Sequence, residues 1–173
     1  MDTLDVVPLP GYDPQVGTLL AGLVDSTREW RQYLGDVSPE AIVWQPFPGA
    51  YSVGALLLHI IDVEDFWLRV FLGGQERTDE QSKRFMSEET DQYSGNWPVP
   101  PVEPLSWYLD MHDEVRAACF EAIRGIPPDQ VYERPARNRK YTMRWVLHHM
   151  LQHDSYTGGQ AVAIHQLWLK QAG

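Results

Sequence analysis

Proline and glycine punctuate this chain so heavily that only four long stretches remain free to form helix, and each carries apolar residues at three- and four-residue intervals. That spacing follows the 3.6-residue turn and gives each helix one apolar face. The first stretch runs from about Pro14 to Leu34. Asp13 is placed to cap it, and Pro14 suits the first helical position, where a missing N–H costs nothing. Leu19, Leu20, Leu23, Trp30 and Tyr33 form its apolar face. Residues 38–51 (SPEAIVWQPFPGAY) predict a helical turn near Ala41 and then a loop, because Pro46, Pro48 and Gly49 block further helix. A second helix is expected after the cap Ser52, running to Leu72 and stopped by Gly73 and Gly74.

Gln75 to Glu103 is polar and acidic, with a short helix expected over 80–85 and an extended, proline-rich end (NWPVPPVEP). A connection of this length is unusual in a compact domain and is often functional. The third helix runs from about Leu105 to Arg124, closed by Gly125 and Pro127. A basic loop (ERPARNRK) precedes the fourth, capped by Thr142 and running to about Lys170. The Gly158-Gly159 pair inside it suits a kink or a close helix contact. No alternation supports a sheet. The expectation is an all-α single domain over 1–173, a four-helix bundle with a long crossover connection.

The chain's 24 acidic residues outnumber its 14 basic ones, for a net charge of -10. Such a balance opposes binding to phosphate backbones and to anionic membranes, so neither nucleic acid nor membrane is expected as partner. Cys119 is the lone cysteine, which excludes an internal disulfide and a cysteine-based zinc cluster. Residues 1–10 lack the basic start and apolar run of an export signal. The longest apolar stretch, Gly54 to Leu58, falls far short of the ~18 residues a spanning helix needs. A cytoplasmic, soluble protein is expected.

A bundle buries one stripe per helix. On the second helix that stripe passes through Ser52, Leu56, His59, Val63, Phe66 and Val70, apolar apart from the cap and one imidazole. On the fourth it runs from Val146 through His149, His153, Tyr156 and Gln160 to Ala163. Four successive polar groups stand where Leu or Val would be usual, and burying each without a partner costs about 1–3 kcal/mol. A single core histidine is most often hydrogen-bonded to a carbonyl, a tyrosine or water, which would suffice for His59 alone. His149 and His153, one turn apart, leave the same side of the helix and can share a divalent ion, with His59 as a ligand from a facing helix. Asp62, one turn after His59, either orients an imidazole or lies exposed. His112, Glu64 and Asp65 read as solvated, and His165 as a surface or dimer-contact residue. Cys119 sits in an apolar run and reads as a small buried hydrophobe. The loop aromatics Trp44, Phe47, Tyr51 and Trp97 either line a pocket mouth or pack beneath the long loops.

Three segments together resemble the DinB-like superfamily, which includes DinB/YfiT-type proteins and mycothiol- or bacillithiol-dependent transferases. They are the Pro48-Gly49-x-x-Ser52 entry to the second helix, His59 in LLLHIIDVEDFWL, and RWVLHHMLQHDSYTGGQ on the fourth. The last is similar to a family pattern H-M-x-x-H-x-x-Y-H-x-G-Q, placing His149, His153, Tyr156, Gly159 and Gln160. The resemblance implies a four-helix bundle, commonly dimeric, with a nickel or zinc site. Its ligands would fall on His59, His153 and the position held here by Thr157, a poor ligand for a divalent ion. Three completions stay open: His149 one turn earlier, Gln160 or water, or no metal at all. The implied activity is transfer of a low-molecular-weight thiol to an electrophile, or hydrolysis. The alternative is a non-catalytic domain that binds a small molecule or takes part in stress-associated interactions.

Overall fold

Asp13 accepts the backbone N–H of Gln15 at 2.8 Å and so starts α1 (Pro14–Leu34), with Pro14 in its first turn. The computed structural model describes residues 3, 5–91 and 93–173. The amino-terminal reading falls in part on residues 1, 2 and 4, and the reading of the long connection includes residue 92; these four lie outside the described residues. Ser38 caps the short α2 (Pro39–Val43). Ser52 caps α3 (Val53–Glu64), as Thr142 caps α6 (Met143–Ala172). Each such oxygen satisfies an N–H that the helix itself cannot, for about 1 kcal/mol.

The second long helix reaches Leu72 as expected, but not uniformly. From Asp65 to Leu72 it widens into π-helical turns, and Gly73 N–H donates to Leu68 O, five residues back, at 3.0 Å. The connection then forms α4 (Asp79–Arg84), opened by a capping box between Thr78 and Gln81. α5 spans Leu105–Ala122. The expectation that no sheet forms is corrected. The basic segment is a two-stranded antiparallel hairpin, β1 (Val131–Arg134) and β2 (Arg139–Thr142), turned by Pro135–Arg137 and by Asn138 in left-handed geometry. Four-residue strands rich in Arg and Lys carry too little alternation to be legible as strands.

α6 packs on α1 and α3, and α3 packs on α5. Arg31 closes the circuit from α1 to α5 through Asp113 at 2.8 Å. Gly158 explains how close α1 and α6 come: a Cβ there would lie 2.3 Å from Trp30 Cγ. The glycine pair therefore permits contact, while α6 continues without interruption from Met143 to Ala172.

The long connection is tied down by charge. Arg77 donates to Asp65 Oδ2 at 2.7 Å, to the Asp62 carboxylate and to the Asp62 carbonyl at 2.8 Å. Arg69 reaches the Asp65 carboxylate, Glu76 O at 3.0 Å and Gln81 at 3.2 Å. Asp65, expected to be solvated, is 1% exposed. Asp65 and Arg69, one turn apart, both lie under the connection. Among the described residues no helix is long and apolar enough to cross a membrane.

Candidate functional site

His59 on α3 and His153 on α6 face each other across the bundle, with their Nε2 atoms 3.2 Å apart. Both are almost fully buried. The rings meet at 63°, centroids 5.0 Å apart. Burial drives the His153 pKa down, with His59 and His149 adding to the effect, to about 3. Its imidazole is therefore neutral at physiological pH, the state in which a ring nitrogen can accept a proton or ligate a metal. One nitrogen of the pair can donate to the other only if the two rings hold complementary tautomers.

Beside this pair lies a cavity of about 570 Å³, bounded by the 46–51 loop, the end of the long connection and the second half of α6. His59, Tyr51, Trp97, Tyr156, Thr157 and Gln160 all contribute to its wall. The Trp97 ring stands edge-on to His59, with centroids 5.3 Å apart, and to Tyr51 at 5.9 Å. Trp97 is held there by its own N–H on Gly49 O at 3.0 Å. The Gln45 amide adds bonds to Ala50 O at 2.6 Å and to Trp97 O at 3.2 Å. Three of the four loop aromatics thus line the cavity, and Trp44 packs on Trp168 instead.

Thr157, at the position where the family pattern carries a histidine, is 1% exposed, and its Oγ1 makes no hydrogen bond among the described residues. An orphaned buried hydroxyl one turn from the neutral His153 imidazole fits a guest that completes the hydrogen bonding. Two nitrogens bound to one tetrahedral ion at about 2.0–2.1 Å stand roughly 3.3 Å apart. The observed separation suits that arrangement as well as it suits a hydrogen bond.

The remaining sequence-based candidates fall elsewhere. His149 is half-buried, stacked on Trp145 at 5.0 Å and edge-on to Trp67 at 5.6 Å, with its centroid 6.4 Å from that of His153. Burial, with His148 nearby, lowers its pKa. The structure brings His59 and His153 together and leaves His149 in an aromatic wall. Tyr156 and Gln160 are exposed at the cavity rim rather than buried. The buried stripe of α6 lies one residue over, through Met143, Val146, Leu147, Met150, His153, Asp154, Thr157, Ala161 and Ile164. Asp62 takes its bonds from Arg77 and from Ser87 at 2.6 Å, and lies outside the cavity wall. Cys119 is fully buried, and burial pushes its thiol pKa up, away from reactivity.

A second buried polar cluster escaped the stripe analysis. Glu64 of α3, His112 and Arg116 of α5 and Asp154 of α6 meet in the core, each under a tenth exposed. Glu64 and His112, expected in solvent, are corrected here. Glu64, His112 and Asp154 offer ligand atoms all within 4.8 Å of one another, a spacing that suits a metal ion. Arg116 already stands there, however. Its Nε and Nη2 donate to Glu64 at 2.9 and 2.6 Å, and its Nη2 lies 3.3 Å from Asp154 Oδ1. Its Nη1 reaches Thr27 at 2.6 Å. Trp30 Nε1–H donates to Asp154 at 3.0 Å. Burial opposes ionisation of Glu64, but Arg116 and His112 outweigh it and hold the carboxyl far below the usual range. Burial and the arginine push His112 down. A permanent guanidinium supplies the charge that an ion would bring.

The fold and the facing imidazoles together define a bundle protein with a histidine-lined cavity. The family model described as mycothiol-S-transferase matches residues 18–166, and the chain belongs to that family, within the DinB-like superfamily. A solved DinB-like protein from Bacillus cereus ATCC 10987 superposes with a TM-score of 0.60 at 17% identity, covering 87% of this chain and 90% of that one. That likeness shows the fold. No curated protein matches the chain.

Proposed function

We propose that the His59–His153 pair holds a divalent ion, nickel or zinc, and that the adjoining cavity joins a low-molecular-weight thiol to an electrophile. The observation that carries this reading is the 3.2 Å approach of two imidazoles from separate helices, one of them in the wall of a cavity of drug-like size. Family membership supports the thiol part. When bound, such an ion would lower the pKa of a neighbouring thiol and favour its nucleophilic thiolate form. The protein's own residues do the rest. His59 and His153 would present two ring nitrogens, fixed by burial in one orientation. The Thr157 hydroxyl would give a hydrogen bond to whatever fills the remaining position. Trp97 and Tyr51 would exclude water and seat the electrophile. Thiol sulfur bonds to the electrophilic carbon, the leaving group departs with its electron pair, and the thiol proton passes to solvent. Hydrolysis is the variant in which water takes the place of the thiol.

Thr157 in place of a third histidine favours a second reading, a binding domain that takes a small molecule in the same cavity without a metal. Cobalt(II) separates the two. Cobalt-loaded protein titrated with a small thiol should develop a thiolate-to-cobalt charge-transfer band that the His59→Ala variant lacks. No band in either protein would overturn the metal–thiol reading and leave the binding domain. A cytoplasmic setting and a homodimer complete the proposal. Exposed Leu167 and Leu169 near the end of α6 suit self-association, and sedimentation showing only the 19.9 kDa monomer would contradict it.

A further inference from the structure

The chain carries 22% charged residues, yet among the described residues the wall of its histidine-bearing cavity has no Asp, Glu, Lys or Arg. Pro46, Phe47, Tyr51, Trp97, Ile164 and Leu167 give it apolar and aromatic surface. Its polar side chains are one imidazole, His59 of α3, and the hydroxyls and amide of Tyr156, Thr157 and Gln160 on α6, with the Tyr51 hydroxyl and the Trp97 indole beside them. With no ion bound, an anion entering here would lose its hydration with no lysine or arginine of the described wall to replace it. The net charge of -10 would oppose its approach as well. A planar aromatic guest would instead meet aromatic rings, to which it can stack or stand edge-on. Phe47, 65% exposed at the rim, offers such a guest a further ring.

We propose that the side chains of this cavity, apart from any bound ion, select an uncharged, largely aromatic molecule over its carboxylate-bearing analogues, and that Trp97 is the chief specificity-determining residue. The inference rests on the reading of this cavity as the substrate site, but not on the metal. Gln45 acts as a positioning residue, since its amide ties the 46–51 loop to the Trp97 carbonyl.

The test is calorimetric titration of the full-length protein with 2-naphthamide and with 2-naphthoate, a matched pair differing in charge. Chelator is kept in both titrations so that carboxylate–metal bonding cannot contribute. The amide should bind at least about ten-fold more tightly. Trp97→Leu should weaken amide binding by about ten-fold. Gln160→Lys, at an exposed position that tolerates the change, should strengthen naphthoate binding and narrow or reverse the ratio. Equal or tighter binding of naphthoate by the unaltered protein would overturn the proposal, as would binding of neither compound. So would a naphthoate affinity that Gln160→Lys leaves unmoved. Metal titration reports separately: selectivity without metal binding would sink the metal reading alone, and metal binding without selectivity would sink this one alone.

Discussion

Two polar clusters sit on the same pair of helices, and they have opposite character. His59 and Glu64 are both on α3, and His153 and Asp154 are neighbours on α6. In the Glu64–His112–Asp154 cluster, Arg116 meets both carboxylates and Thr27, so the donors and acceptors are matched within the protein. At the His59–His153 pair the wall opens on a cavity, and Thr157 Oγ1 is left without a bond among the described residues. The saturated cluster stabilises the bundle. The other leaves the Thr157 hydroxyl available to a guest. Ligand spacing alone would have chosen the first as a metal centre, and the arginine reverses that choice.

The comparison breaks most visibly by removing the arginine. Arg116→Met leaves Glu64 and Asp154 buried without their cation, and should cost about 3–5 kcal/mol of stability in urea denaturation near neutral pH. Because ionised Glu64 is stabilised in the folded state, its contribution is complete above the unfolded carboxylate value of about 4.3 and is lost as pH falls below it. The gap between variant and parent should therefore narrow in acid.

The open site carries the opposite pH signature. Folded His153 titrates near 3, below the unfolded value of about 6.5. Between those values the unfolded chain binds the extra proton, so metal-free protein should lose a few kcal/mol of stability as pH falls through this window. His153→Gln should flatten that slope, measured as the shift in urea midpoint between about pH 7 and about pH 5. Part of the slope should persist, because His112 is displaced in the same direction. A smaller effect is expected at the orphaned hydroxyl. Thr157→His supplies a third imidazole and should tighten zinc binding by at least about ten-fold, read by calorimetry. Smallest of all, Asp25→Asn breaks an exposed helical pair with Arg28 and should change stability by under about 0.5 kcal/mol. A larger loss would mean that surface charge matters as much as the core network.

Much of this fold was legible because helix boundaries rest on local chemistry. Asp13, Ser52 and Thr142 cap the helices that they were expected to cap, and the proline and glycine stops hold. What stayed hidden depends on partners distant in sequence. His112 read as solvated because its neighbours in sequence are acidic, yet Arg116 and Glu64 enclose it. The hydrophobic period placed the stripe of α6 one residue off, which favoured Tyr156 and Gln160 over Asp154 and Thr157. Following the most apolar residues, Met143, Leu147, Met150, Ala161 and Ile164, would have run the stripe between them. Asp65 and Arg69 continue the buried face of Leu57 and Ile61 at four-residue steps, but their charge hid them, because the partners that permit their burial, Arg77 and Gln81, lie in the connection. His59 was visible because it interrupts a strongly apolar run, and His153 because it stands one turn from His149 on a helix.

The most direct test is calorimetric titration of the unaltered protein, His153→Ala and His112→Gln with zinc and with nickel. The account predicts tight binding to the unaltered protein and to His112→Gln, and none to His153→Ala. Binding that survives His153→Ala but is lost in His112→Gln would move the metal centre to the Arg116 cluster and contradict it.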